Sequence, residues 1–160
     1  MSENGAVILA IRLRGQVSVK PQIEDTLKKL RLGRLHQARV IKLTPSLQGM
    51  ITKAKDYITW GEIDADTAYR ILAKRGRLSG NRRLTDAYVK KNSNHSSIKA
   101  LAKGLVAGTA SVNDVEGLKP VFRLTPPKKG FRGKRNLPVG MGGVNGYRGA
   151  GINELAQKMI

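Results

Sequence analysis

The sequence predicts an α+β fold: a β-α-β-α-β core at the N-terminal end, followed by a mostly helical segment that carries a basic, glycine-rich loop. Three observations lead there. Residues 43–61, LTPSLQGMITKAKDYITWG, read as the end of a strand, a capped helix and a second strand. An earlier apolar run and a proline-opened helix give the same alternation on the N-terminal side, and after Glu62 no strand pattern appears until Val121. The chain therefore divides into a core over 1–62 and a helical subdomain over 63–160.

Each element follows from local chemistry. Val7 to Leu13 is apolar and rich in β-branched residues, interrupted only by Arg12, and reads as a buried strand that Arg14-Gly15 ends. Pro21 opens a helix in which Ile23, Leu27 and Leu30 share a face, with acids at its start and bases at its end; Gly33 is placed to close it in a left-handed turn. Ala38 to Leu43 is the second strand. Thr44 offers a hydroxyl to a free backbone N–H, and Pro45 supplies the right φ without wasting a donor. Leu47, Met50, Ile51 and Ala54 then form one apolar stripe, which leaves Gln48, Thr52, Lys53 and Lys55 facing outwards. Tyr57 to Trp60 is the third strand.

Beyond it, Asp64 caps a helix containing Ala68, Ile71 and Leu72 that stops at Gly76. Thr85-Asp86 starts a short helix. Ser96 or Ser97 caps a stronger one with Ile98, Leu101, Ala102, Leu105 and Val106 on one face. Residues 121–124 make a short strand stopped by Pro126-Pro127. Residues 128–151 read as the basic loop, with eight glycines between Gly130 and Gly151. So many glycines predict an extended segment ordered only against something else. Residues 152–160 form a short amphipathic helix that needs a docking surface, because so short a helix is marginal alone.

Charge is the strongest functional signal. The 160 residues hold 30 Lys and Arg against 11 acids, a formal charge of +19. A field of one sign costs stability through self-repulsion, so it points to a polyanionic partner, nucleic acid before anionic membrane. The bases fall into three acid-free blocks: Thr26 to Lys55 with eight, Thr67 to Thr85 with six, and Gly117 to Asn153 with eight. One such run is ordinarily a solvated face; three, joined to glycines that bare backbone N–H groups, indicate phosphate contact. The candidate contacts are Arg14, Arg34, His36, Lys53, Lys55, Lys74, Arg75, Arg82, Arg83, Lys128, Lys129, Arg132, Lys134, Arg135 and Arg148. Phe131 and Tyr147 are placed to stack on unpaired bases, with packing against the helical segment as an equal alternative.

Other chemistries find little support. There is no cysteine, and the two histidines, His36 and His95, stand far apart, so no metal-ligand spacing exists. Asp64 and Asp66, two apart, fall on different helix faces and read as cap and dipole partners. Neither nucleotide-loop glycine motif is present. No catalytic residue, cofactor or small-molecule substrate is expected. The first apolar run, broken by Arg12 and preceded by no base, is neither a signal peptide nor a membrane span.

Several pieces, in order, resemble the universal large-subunit ribosomal protein family L-thirty, in its long archaeal form related to eukaryotic L-seven. They are Leu32-Gly33-Arg34-Leu35-His36, Thr44-Pro45 with Gly49-Met50 and Lys53, residues 57–61 (YITWG), Lys74-Arg75-Gly76, Leu84-Thr85-Asp86, and residues 122–130 (FRLTPPKKG). Gln48 departs from the pattern, where many relatives place arginine. The resemblance implies a ferredoxin-like core, with an antiparallel sheet and two helices on one face. It also implies a non-catalytic, cytoplasmic, ribosomal role on large-subunit rRNA near the 5S rRNA, beside other large-subunit proteins. A DNA-compacting chromatin protein and a small RNA-modifying enzyme are the competing classes; the first lacks a helix-turn-helix pattern here, the second a cofactor loop or catalytic carboxylate.

Overall fold

The computed structural model describes residues 5–160. Its strands are β1 (Val7–Arg12), β2 (Gln37–Lys42), β3 (Ile58–Glu62), β4 (Phe122–Arg123), β5 (Lys134–Pro138) and β6 (Gly143–Tyr147). Its helices are α1 (Pro21–Lys29), α2 (Pro45–Lys53), α3 (Ala65–Arg75), α4 (Asp86–Asn92), α5 (Ile98–Val106) and α6 (Gly151–Met159). The strands form one sheet in the order β4-β2-β1-β3-β6-β5. β1 runs antiparallel to both β2 and β3, which gives the expected antiparallel core, while β6 adds parallel to β3 and makes the whole sheet mixed.

The apolar residues of β1 are buried on both faces, which is why the strand reads as a continuous run. Ile8 and Ala10 pack with Leu27 of α1 and Leu30 at its end, and with Ile51 of α2 and Ala54 at its end. Leu9, Ile11 and Leu13 face the other way, into a larger cluster with Ile71, Leu101, Leu105, Phe122, Ile152 and Met159. The predicted caps form: Thr44 accepts from the Leu47 amide at 3.3 Å, Asp64 from Thr67 at 2.6 Å, and Ser97 rather than Ser96 from Ala100 at 3.2 Å. Met50 and Leu47 are only half-buried, so Ile51 and Ala54 carry the stripe.

Two expectations are corrected. Gly33 does not close α1; Arg31 does, with φ of 57°. The Leu32 amide then donates to the Leu27 carbonyl at 2.8 Å, and Leu30 and Leu32 are both fully buried. Burial of two leucines outweighs the roughly 1–2 kcal/mol cost of a left-handed non-glycine residue.

The second correction is larger. The range 128–151 is not a structureless loop, because it contains β5 and β6, and β6 lies inside the sheet against β3. The surface that orders this segment is the protein itself. The Arg148 amide donates to the Trp60 carbonyl at 2.8 Å, and the Thr59 hydroxyl donates to the Gly146 carbonyl at 2.9 Å. Glycine makes the approach possible: a Cβ at Gly61 would stand 2.0 Å from the Gly149 carbonyl oxygen, and one at Gly143 would stand 1.9 Å from that of Leu137. α6 then docks through Ile152, Leu155, Ala156 and Met159, as its pattern requires.

Candidate nucleic-acid interface

The antiparallel register brings three chain segments to one end of the sheet. Arg12 of β1 stands opposite Ile58 at the start of β3, and Ile11 stands opposite Ala38 near the start of β2. The residues just beyond β1 therefore meet those just before β2 and β3. β5 completes the end wall. Leu13, Arg14, Gly15, Val17, Leu35, Tyr57, Arg135 and Asn136 line an open cleft of about 360 Å³ with no acid in its lining.

A buried arginine shapes this end. Arg12 is fully buried, yet each part of its guanidinium has a partner: Nε donates to the Arg14 carbonyl at 2.8 Å, Nη1 to that of Leu32 at 2.9 Å, and Nη2 to that of Gly15 at 3.0 Å. Nη2 also meets the Glu24 carboxylate at 3.2 Å. Buried charge is tolerable only when paired and hydrogen-bonded in this way, and the result is a fixed backbone at Arg14-Gly15. Sequence reasoning took Arg12 only as an interruption of the strand. A lone arginine in an apolar strand, with Glu24 in the following helix, was the available signal.

Arg14 leaves this anchored backbone with its guanidinium carbon 4.8 Å from the Tyr57 ring centre, and its Nη1 donates to the Asp56 carbonyl at 3.4 Å. Arg135 is brought to the same end by Asn145, which is 2% exposed and donates from Nδ2 to the carbonyls of Asp56 at 3.0 Å and Arg135 at 2.5 Å. Asn145 was also missed, since nothing in a glycine-rich stretch marks one asparagine as buried.

His36 sits at the turn into β2 with φ of 60°. Its amide donates to the Arg12 carbonyl at 2.9 Å, and its carbonyl accepts from Leu124 at 3.0 Å. Burial first, and the nearby Arg135 charge second, hold its imidazole below the ordinary range. Its ring stacks on Phe131, centres 6.4 Å apart, and Phe131 in turn packs against the larger apolar cluster. Tyr147 lies tilted near Trp60, 6.5 Å between centres, with its hydroxyl donating to the Glu62 carboxylate at 2.9 Å. Both aromatics thus have packing partners within the protein.

Two candidate cations turn inwards. Arg75 donates to the Ile160 carbonyl at 2.7 Å and to the Thr125 hydroxyl at 3.3 Å, which ties the end of the chain to α3. Arg148 donates to the Val144 carbonyl at 2.9 Å, and its burial lowers its pKa despite the opposing pull of Glu154. Arg34, Lys53, Lys55, Lys74, Arg82, Arg83, Lys128, Lys129, Arg132, Lys134 and Arg135 are exposed. They spread over several faces. Lys53 acts electrostatically on Asp25 of α1, and the Lys128 amide donates to the Lys158 carbonyl at the end of α6. Arg39, not singled out from the sequence, spends its guanidinium on the Leu30 carbonyl at 3.1 Å.

Among the described residues no group of three or more His, Asp or Glu is placed to hold a metal, and no helix is long and apolar enough to cross a membrane. The fold and this end wall define a class: a small, strongly basic α+β protein with cations gathered at one end of its sheet. The family model for ribosomal protein L30p/L7e matches residues 8–58. Large ribosomal subunit protein uL30 of Methanobrevibacter smithii is 50% identical over 96% of this chain and 100% of its own length. The proteins of that name from Methanothrix thermoacetophila and Thermofilum pendens are 51% and 44% identical over 93% and 97% of the chain, covering 97% and 99% of their own lengths. The chain belongs to the uL30 family, a structural and non-enzymatic family of large-subunit ribosomal proteins.

Proposed function

We propose that this chain binds and stabilises folded large-subunit rRNA on cytoplasmic ribosomes through phosphate and shape contacts, near the 5S rRNA and beside neighbouring large-subunit proteins. The observation that supports this most is the convergence of Arg14 and Arg135, about 120 residues apart in sequence, on one acid-free cleft. Folded RNA offers phosphates, 2′-hydroxyls and splayed bases at junctions, and a rigid wall carrying long cations fits them without reading a sequence.

In this reading the labour is divided. Half-buried Arg14 and the exposed cations Arg34, Lys53, Lys55, Lys74, Arg82, Arg83, Lys128, Lys129, Arg132, Lys134 and Arg135 meet phosphates, whereas Arg75 and Arg148 hold the backbone that presents them. Residues 1–62 supply the core of the interface, and 63–160 supply its outlying cations and the β5 wall.

Phosphate neutralisation releases counterions, so binding must depend steeply on salt. If about six to ten cations touch phosphate, affinity for isolated large-subunit rRNA falls roughly 10³- to 10⁵-fold between about 50 and 200 mM salt, taking duplex-DNA binders as the guide. A flat salt response in a filter-binding titration contradicts the proposal. Equal affinity for duplex DNA at matched salt would instead favour the DNA-compacting alternative.

A further inference from the structure

Resting on the rRNA-binding reading, we infer that the cleft at the end of the sheet is a seat for one unstacked, extrahelical RNA base. Two of the few large apolar side chains left exposed among the described residues, Val17 at 91% and Leu35 at 42%, line the same cleft from different chain segments. Phosphate contact alone gives them no purpose. An exposed valine beside arginines is explained by an occupant that is flat and apolar in one part and anionic in another.

The third wall fits the flat part. Arg14 and Tyr57 both line the cleft, with the Arg14 guanidinium carbon over the Tyr57 ring at 4.8 Å from its centre. A planar guanidinium in contact with an aromatic ring gives a nucleobase two side chains of the kind RNA-binding proteins commonly stack bases on, arginine planes and aromatic rings. Arg135 supplies the charge for the adjoining phosphate, and Asn136 places an amide on the rim where a base edge would lie. The platform is stiff. The Arg14 carbonyl is held by buried Arg12, and the Arg135 carbonyl is held by buried Asn145. About 360 Å³ is ample for one purine and its sugar. An acidic protein segment would also answer the charge, but it would not use the stacked plane, so RNA is the occupant the geometry favours.

The test compares two RNA hairpins of about twenty base pairs, one fully paired and one carrying a single bulged adenosine, with the full chain at fixed salt. Wild-type protein is expected to prefer the bulged hairpin by about tenfold, the scale of one base stacked on a side-chain platform. Val17→Ala/Leu35→Ala, whose parent side chains carry no charge, is expected to keep its affinity for the paired hairpin and lose that preference. Arg14→Lys, which keeps the charge but removes the plane, is expected to reduce the preference several-fold. An unchanged thermal midpoint confirms that each variant folds. Equal wild-type affinity for both hairpins overturns the base seat while leaving phosphate binding intact, and binding to neither overturns the reading beneath it. A preference that survives in the double variant and in Arg14→Lys places the base elsewhere and refutes the inference. So does a polyglutamate peptide that binds the cleft at matched salt more tightly than either hairpin.

Discussion

The face of the sheet backed by α1 and α2 and the β6 edge of the sheet are closed by different means. On the helix-backed side, Ile8 and Ala10 meet leucines beside α1 and Ile51 of α2, and the contact is side chain against side chain. At the β6 edge, β3 is covered by a strand of sequence GVNGY, whose contribution is backbone hydrogen bonds, one buried asparagine and one valine. The first side tolerates no loss of volume. The second tolerates no gain at Gly61 or Gly143, where an added Cβ would collide with neighbouring backbone. That difference teaches where cavity-forming and crowding substitutions each do damage, and it orders the expected effects.

The largest effect belongs to the helix-backed side. Ile51→Ala removes a side chain that is 2% exposed and is expected to cost about 2–5 kcal/mol in a denaturant titration. Lys53→Ala, exposed two residues on, is expected to change stability by about 0.5 kcal/mol or less. Equal losses would erase the distinction between stripe and outer face.

Gly61→Ala tests the other edge by adding one methyl group 2.0 Å from the Gly149 carbonyl oxygen. Crowding of this kind is expected to cost about 1–3 kcal/mol. The comparison sharpens if the damage stays local. Limited proteolysis is expected to cut the variant within 128–151 before the β-α-β-α-β unit is touched, and cleavage at equal rates throughout would show that the two sides unfold as one.

Asn145→Ala removes the two donations that hold Asp56 and Arg135 together, and it is expected to cost about 1 kcal/mol with a larger proportional loss of rRNA affinity. Unchanged binding would mean that Arg135 is positioned by something else.

The smallest effect is on pH dependence. Burial depresses the folded-state pKa of His36 below its ordinary 6.5, so the unfolded chain takes up the proton first as pH falls. The associated stability is therefore complete above about pH 6.5 and declines as pH drops from there towards the folded-state value. His36→Asn, a residue type that accepts the left-handed backbone at this position, is expected to remove that decline. The exposed pairs Asp25–Lys29 and Glu154–Lys158 also depress their carboxylates, but their stability is lost only as pH falls below the ordinary carboxylate range.

These contrasts explain what the sequence made legible. Periodicity finds elements that bury side chains, and it located β1, α1, α2, α3, α5 and α6 within a residue or two because Leu27, Ile51, Ile71 and Leu101 mark their inner faces. It missed β5, which is nearly all exposed, and β6, which buries glycine backbone, one valine and one asparagine, because neither shows an alternation of apolar and polar residues. Gly33 was the obvious turn residue after α1, yet the burial of Leu32 moved the turn to Arg31. At the interface, composition identified which residue types matter. It did not separate Arg14 and Arg135, which face the cleft, from Arg75 and Arg148, which hydrogen-bond inwards, because that choice depends on which carbonyls the tertiary fold leaves nearby.

The central claim is that the glycine-rich segment is a working strand of the sheet before any RNA arrives. Amide hydrogen exchange on the free protein tests it directly at residues 143–148. Here the Arg148 amide donates to Trp60, and Gly146 and Tyr147 register with Thr59 and Trp60. The expected result is protection of the Arg148 amide and its β6 neighbours within about tenfold of that in helix α2. Exchange at the rate of an unstructured chain, with protection appearing only on intact large subunits, would contradict the account and return the segment to a loop ordered by its partner.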